Sequence, residues 1–324
     1  MKKLISLLLA LVMVLSLSTV AFAAESVGVQ TLNKNYKLAN EGTTAPAETF
    51  KFKIEASGVT DAAEGVTVAK MPVPTLGSAA FTDGTTATVA GTDVEIAVTN
   101  PNYTSVGVYT YKIKEVAGNT AGVTYSDDEI VMKVTVINGD TAGTFAVQSV
   151  SYTGKAGTKA ESFKNVYSAG SLAVKKEVTG NLGDKTKEFA VTVTFTAPTG
   201  KTVNAPITYV EDGQTKTIAA SDWGNGTVSK VINLHDQETV TFTNIPYGVT
   251  YTVDEDEYTD YETTGEVTTA TAVNSAEQKV TITNTKNGTV DTGVVLDTLP
   301  YVMILAVAAV CGMALLLKKR HMAD

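Results

Sequence analysis

The chain has 324 residues, with 25 Lys and Arg against 34 Asp and Glu, for a formal charge of −9. That acidic balance argues against nucleic acid as a partner. It contains 26 Gly, 9 Phe and one Trp, and its segments are rich in Thr and Val, so an all-β protein built from short strands in more than one domain is expected.

Residues 1–23 open with Lys2 and Lys3, run through an apolar stretch and end in Ala21-Phe22-Ala23. This is the pattern of a secretory signal cleaved after Ala23. The alternation Leu32, Lys34, Tyr36, Leu38 then predicts a strand with a lysine on its apolar face. A polar loop over 39–48 leads to Phe50, Phe52 and Ile54, between which Lys51 and Lys53 point to solvent. Segments around Val68, Phe81 and Ile96 follow, and then Tyr109, Tyr111, Ile113, Glu115, which puts a glutamate on the apolar side. Strands over 131–137 and 145–152, and finally Phe163, Asn165, Tyr167, complete one sandwich.

Ser168-Ala169-Gly170 reads as a short hinge into a second sandwich. Its first strand carries Leu172, Val174, Lys176, Val178, and its next inward row is Phe189, Val191, Val193, Phe195. Later come Val249, Tyr251, Val253, Glu255 and then Val280, Ile282, Asn284. From Pro300 an apolar run extends through Leu317 and meets Lys318, Lys319, Arg320 and His321. That run is about the length needed to cross a bilayer, with the basic cluster on the cytoplasmic side. The chain thus divides into 1–23, 24–168, 169–286 and 287–324.

Each sandwich holds a lysine, a glutamate and an asparagine, in that order, on faces where apolar residues belong. Roughly 80 residues separate lysine from glutamate in both halves, which marks them as diverged copies of one plan. Desolvation raises a buried carboxyl pKa and lowers a buried ammonium pKa, so the pair can pass a proton and become neutral. A neutral amine is a nucleophile, and a protonated glutamate hydrogen-bonded to the carboxamide would polarise its carbonyl and help ammonia leave. The expected products are the isopeptide crosslinks Lys34–Asn165 and Lys176–Asn284, promoted by Glu115 and Glu255, each made in a single turnover. The only cysteine, Cys311, lies in the C-terminal apolar run, so no disulfide competes for this stapling role. No metal or cofactor is expected. The acidic run 254–257 lacks EF-hand spacing, His235 stands alone in the exported body, and no phosphate loop or dinucleotide fingerprint occurs.

The segments G-V-Y-T-Y-K-I-K-E ending at Glu115, G-V-T-Y ending at Tyr125, F-K-N ending at Asn165, L-A-V-K-K ending at Lys176 and T-I-T-N ending at Asn284 resemble the two-domain backbone pilins of streptococcal type. That resemblance implies two tandem immunoglobulin-like (Cna-B-type) sandwiches with Lys–Asn bonds at the six residues already selected. It also implies covalent head-to-tail polymerisation of identical subunits by a pilin-polymerising sortase, with attachment to peptidoglycan through a housekeeping sortase or a basal pilin. Thr289, Val290, Asp291, Thr292 and Gly293 then take the place of the sorting motif, with Thr292–Gly293 as the scissile bond. Thr289 and Asp291 depart from the family pattern, E-V-P-T-G. The linking lysine implied by position is Lys159, with Lys164 as runner-up. The implied location is the cell surface, with transient membrane anchoring before cleavage. A wall-anchored adhesin or a minor or basal pilin would carry the same domains. An exported hydrolase would need a catalytic carboxylate pair, and the sequence offers none beyond the glutamates already assigned.

Overall fold

The computed structural model describes residues 30–82, 87–154, 157–289 and 299–321. Residues 1–23, expected as a secretory signal, and Val290, Asp291, Thr292 and Gly293 lie outside the described residues. In the first half the strands are β1 (Asn33–Leu38), β2 (Glu48–Thr60), β3 (Thr75–Leu76), β4 (Ala79–Phe81), β5 (Thr92–Glu95), β6 (Val98–Thr99), β7 (Gly107–Val116), β8 (Val123–Thr124), β9 (Glu129–Asn138), β10 (Phe145–Gly154) and β11 (Ser162–Tyr167). They form a sheet ordered β5-β1-β11-β8, a sheet ordered β10-β9-β7-β2-β4 and a small β3-β6 ribbon. Of the segments expected around Val68, Phe81 and Ile96, Phe81 ends β4, Ile96 lies between β5 and β6, and Val68–Lys70 is a short 3-10 turn.

The second half contributes β12 (Ala169–Thr179), β13 (Phe189–Thr196), β14 (Ile207–Glu211), β15 (Gln214–Ile218), β16 (Thr227–Leu234), β17 (Thr239–Pro246), β18 (Thr250–Glu255), β19 (Glu262–Thr264), β20 (Val267–Ala272) and β21 (Glu277–Thr285). Their sheets run β15-β14-β17-β12-β21-β19 and β16-β13-β18-β20. Strand alternation decides what each sheet buries. On β13, Phe189, Val191, Val193 and Phe195 are fully buried while the residues between them are partly exposed. Tyr36, Phe50 and Phe81 pack edge to face in the first core, with centroids 5.1 to 5.6 Å apart.

The expected hinge is instead a pinned junction. Ala169 and Gly170 already belong to β12. The Ser168 N–H donates to Gly122 O, and Ser168 O accepts the Tyr247 N–H. Small residues occur here because backbones meet closely: a Cβ on Gly170 would lie 2.3 Å from Ser275 O, and Gly122 sits at φ +78 with Ser168 O 2.7 Å from its Cβ position. Two asparagines extend the lock. Asn40 donates to Ala169 O at 2.7 Å, and Asn244 both accepts the Thr44 N–H and donates to Thr44 O at 3.0 Å. Asn244 holds the left-handed region at φ 63, which Asn tolerates better than most residues.

At the C-terminal end a helix, α1 (Leu299–His321), spans 23 residues. Over 301–315 its side chains are apolar and almost all exposed. Among the described residues no helix is long and apolar enough to cross a membrane.

Candidate crosslinking sites

β1 and β11, the first and last strands of the first half, lie side by side and parallel, with Lys34 opposite Phe163 and Tyr36 opposite Asn165. Lys34 and Asn165 are therefore diagonal neighbours on one face, offset by two residues. β12 and β21 repeat the arrangement: Lys176 lies opposite Ile282 and Val178 opposite Asn284. The offset has the same sign and size in both halves. Each glutamate comes from the facing sheet, Glu115 on β7 and Glu255 on β18, so it closes the group from across the sandwich.

All six side chains are buried. In the first group Lys34 Nζ makes an ion-pair contact of 2.9 Å with Glu115 Oε2 and donates to Phe163 O at 3.2 Å. Asn165 Nδ2 donates to Glu115 Oε1 at 2.5 Å, and Asn165 Oδ1 accepts the Ser126 N–H at 2.8 Å. In the second group Lys176 Nζ donates to Glu255 Oε2 at 2.9 Å, and Asn284 Nδ2 donates to Glu255 Oε1 at 2.8 Å. Each glutamate thus bridges the amine and the amide, bringing nucleophile and electrophile onto one carboxyl group. An aromatic ring closes each site: Lys34 Nζ lies 4.6 Å from the Phe50 centroid and Lys176 Nζ 4.4 Å from that of Phe189.

Burial sets the protonation states. Desolvation brings Lys34 down from 10.5 to about 8, against the opposing pull of Glu115. Lys176 is lowered for the same reason, and burial raises Glu255. Both changes favour proton transfer from ammonium to carboxylate, which leaves a neutral amine beside a carboxylic acid. The geometry amends one expectation. Glutamate meets the carboxamide at its nitrogen rather than its oxygen, so a proton carried by that carboxyl would be aimed at the amide nitrogen, not at the carbonyl. At Asn165 the carbonyl oxygen is held by Ser126.

The remaining candidate positions lie apart from these buried groups. Lys159 is 63% exposed and pairs with Glu161 at 2.6 Å. Lys164 is exposed on β11, opposite in direction to Asn165. Both line a cleft of about 620 Å³ with Lys114, Asp127, Asp128 and Glu129. Thr289 is exposed at the end of the described body. The pattern reading passed over Ser126 and the covering roles of Phe50 and Phe189. Phe50 and Phe189 were visible as apolar strand positions, but nothing in the sequence ties a backbone N–H at position 126 to a side chain 39 residues away.

Comparison with known proteins gives concordant matches. Residues 31–168 match the family described as Spy0128-like isopeptide containing domain, and residues 170–286 match a domain of unknown function, DUF7601. A pilin of Streptococcus pyogenes serotype M1 is 30% identical over 320 residues, covering 90% of each chain. The crystal structure of the major pilin from Streptococcus pyogenes superposes with a TM-score of 0.54 at 23% identity, over 81% of this chain and 99% of that one. The major pilin T3.2 from another serotype of that species gives 0.52 at 20% identity, over 80% and 98%.

Proposed function

The chain belongs to the pilin family as a backbone pilin of streptococcal type, a pilus subunit that polymerises with identical copies, and on that premise we propose that it is a self-crosslinking shaft protein assembled by a sortase. Each tandem immunoglobulin-like sandwich forms its own isopeptide bond. Lys34 Nζ attacks Cγ of Asn165, the Cγ–Nδ2 bond breaks, and ammonia leaves with a proton relayed from the amine through Glu115. Lys176, Glu255 and Asn284 do the same in the second half. The observation that carries the reading is the repeated diagonal placement of lysine and asparagine on adjacent parallel strands beneath a bridging glutamate. Nothing turns over afterwards, so the chain acts on itself once and on no substrate.

Assembly requires a carbonyl donor and an exposed amine. The donor is Thr292 within the motif 289–293, captured by the sortase as a thioester and passed to a lysine of the next subunit. Lys159 is that lysine, with Lys164 second. The secretory segment 1–23 exports the chain, and the apolar run from Pro300 to Leu317 with its basic tail holds the precursor at the membrane until cleavage. Wall extracts test this reading. The parent gives a ladder of high-mass species, and Lys159→Ala gives monomer at the wall with both internal bonds intact. A ladder lost only in Lys164→Ala transfers the role to that residue. A ladder that survives the double variant rejects polymerisation through this edge and favours an adhesin or basal subunit.

A further inference from the structure

We propose that the backbone N–H of Ser126 is an oxyanion donor for the first crosslink, a part that the second site lacks, so that the first bond forms faster than the second. This inference rests on the crosslinking reading above. When the lysine amine attacks Cγ, an electron pair moves onto the asparagine oxygen, and that charge must be met inside a dry core. Donors already aimed at the oxygen are worth far more there than in water. Asn165 Oδ1 has such a donor at 2.8 Å, whereas buried Asn284 Oδ1 has no hydrogen-bond partner among the described residues.

Topology explains the difference. In the first half the neighbour of β11 is β8, whose pairing covers only Val166 and Tyr167 before the chain turns away. The next N–H beyond Tyr125 is therefore free to address a side chain. The turn is held locally, since Ser126 Oγ donates to Asp128 Oδ2 at 3.1 Å and accepts the Asp128 N–H at 3.3 Å. Tyr125 is anchored too, with its hydroxyl accepting the Thr120 N–H at 3.2 Å. In the second half β19 pairs straight across the asparagine, with Thr263 opposite Asn284, and none of the described N–H groups reaches Asn284 Oδ1. The second site relies instead on its acid. Glu266 Oε1 accepts the Glu255 N–H at 2.9 Å; burial raises the Glu255 carboxyl above the usual carboxylate range, against the pull of Lys176, and the Glu266 charge adds a smaller push in the same direction.

The atoms balance identically at both sites. The Nζ–Cγ bond forms, Cγ–Nδ2 breaks, one amine proton passes to the glutamate and the glutamate proton leaves with ammonia. Only the partner of the transient oxyanion differs.

The test follows each bond separately in the segment 25–289, which contains both cores. Chain recovered unlinked in denaturant is diluted to refold, quenched at intervals and digested. Mass spectrometry then counts the Lys34–Asn165 and Lys176–Asn284 peptide pairs. The first is expected to form on the order of 100-fold faster, the loss typical of removing one oxyanion donor. Ser126→Pro deletes the N–H and should slow the first bond by a similar factor without touching the second, while Ser126→Thr keeps the N–H and the parent rate. Equal rates in the parent, or a first bond indifferent to proline, overturn the proposal. If proline prevents folding of the first half, shown by rapid trypsin cleavage there, the parent rates decide, and a second bond as fast as the first is a refutation. Failure of either bond to form in the parent instead sinks the crosslinking reading itself.

Discussion

Asn165→Ala removes the electrophile and leaves Lys34 as a buried amine, and the stability it should lose has two separable parts. The proposed bond from Lys34 to Asn165 would close a loop of about 130 residues, which in the chain-entropy treatment of crosslinks is worth about 5 kcal/mol. The second part is electrostatic. In the linked protein the Lys34 nitrogen is an amide and does not titrate, whereas in the variant burial holds the amine at about 8 instead of 10.5. Below about pH 8 that gap costs the folded variant roughly 3 kcal/mol. Between these two values the unfolded chain binds more protons than the folded one, so stability rises with pH and the cost is gone above 10.5. Together the parts lower the melting temperature of a domain this size by on the order of 15–30 °C near neutrality. Buried tyrosines such as Tyr36 and Tyr111 are raised by desolvation, but they do so in parent and variant alike and cancel in the difference. Calorimetry of both proteins across this range should show a gap that narrows with rising pH to the entropic remainder. A gap of only a few degrees near pH 7 would refute the stapling argument, and a gap independent of pH would refute the electrostatic part.

The Lys34 amine also sets the pH dependence of bond formation. Burial lowers it to about 8, so as pH rises toward that value more of the ammonium becomes the neutral nucleophile. First-bond rates measured during refolding should therefore rise up to about pH 8 and level off above it, and rates indifferent to pH below 8 would show that supply of the neutral amine does not limit the step. At the junction, Asn244→Ala removes hydrogen bonds to Thr44 and Pro206 O and leaves a left-handed backbone without its asparagine, at a cost of about 2–3 kcal/mol. Amide exchange at Thr44 should accelerate at least about tenfold, and unchanged protection would mean that the junction is held elsewhere.

The six residues of the two buried groups were legible because strand alternation has period two, and a polar residue on the wrong face stands out against Leu32, Tyr36 and Ile113. What alternation does not carry is pairing. The parallel neighbours β1 and β11, and the diagonal offset between Lys34 and Asn165, are tertiary facts about residues more than a hundred positions apart. The hinge expectation failed for a related reason. Ser168, Ala169 and Gly170 have the composition of a flexible connector, yet they are small because Ser275 O and the Gly122 loop press against them. Asn40 and Asn244 looked like ordinary loop and strand polar residues and prove to be the fasteners of the junction. The glutamate's partner atom was equally beyond the pattern: alternation brings the carboxyl to the carboxamide but does not choose between nitrogen and oxygen.

The most direct test of the central claim is the intact mass of the segment 25–289 and of its glutamate variants. Each bond expels one ammonia, so the parent should weigh two ammonias less than its sequence, Glu115→Ala and Glu255→Ala one ammonia less each, and the double variant its full sequence mass. A parent at its full sequence mass would contradict the account outright.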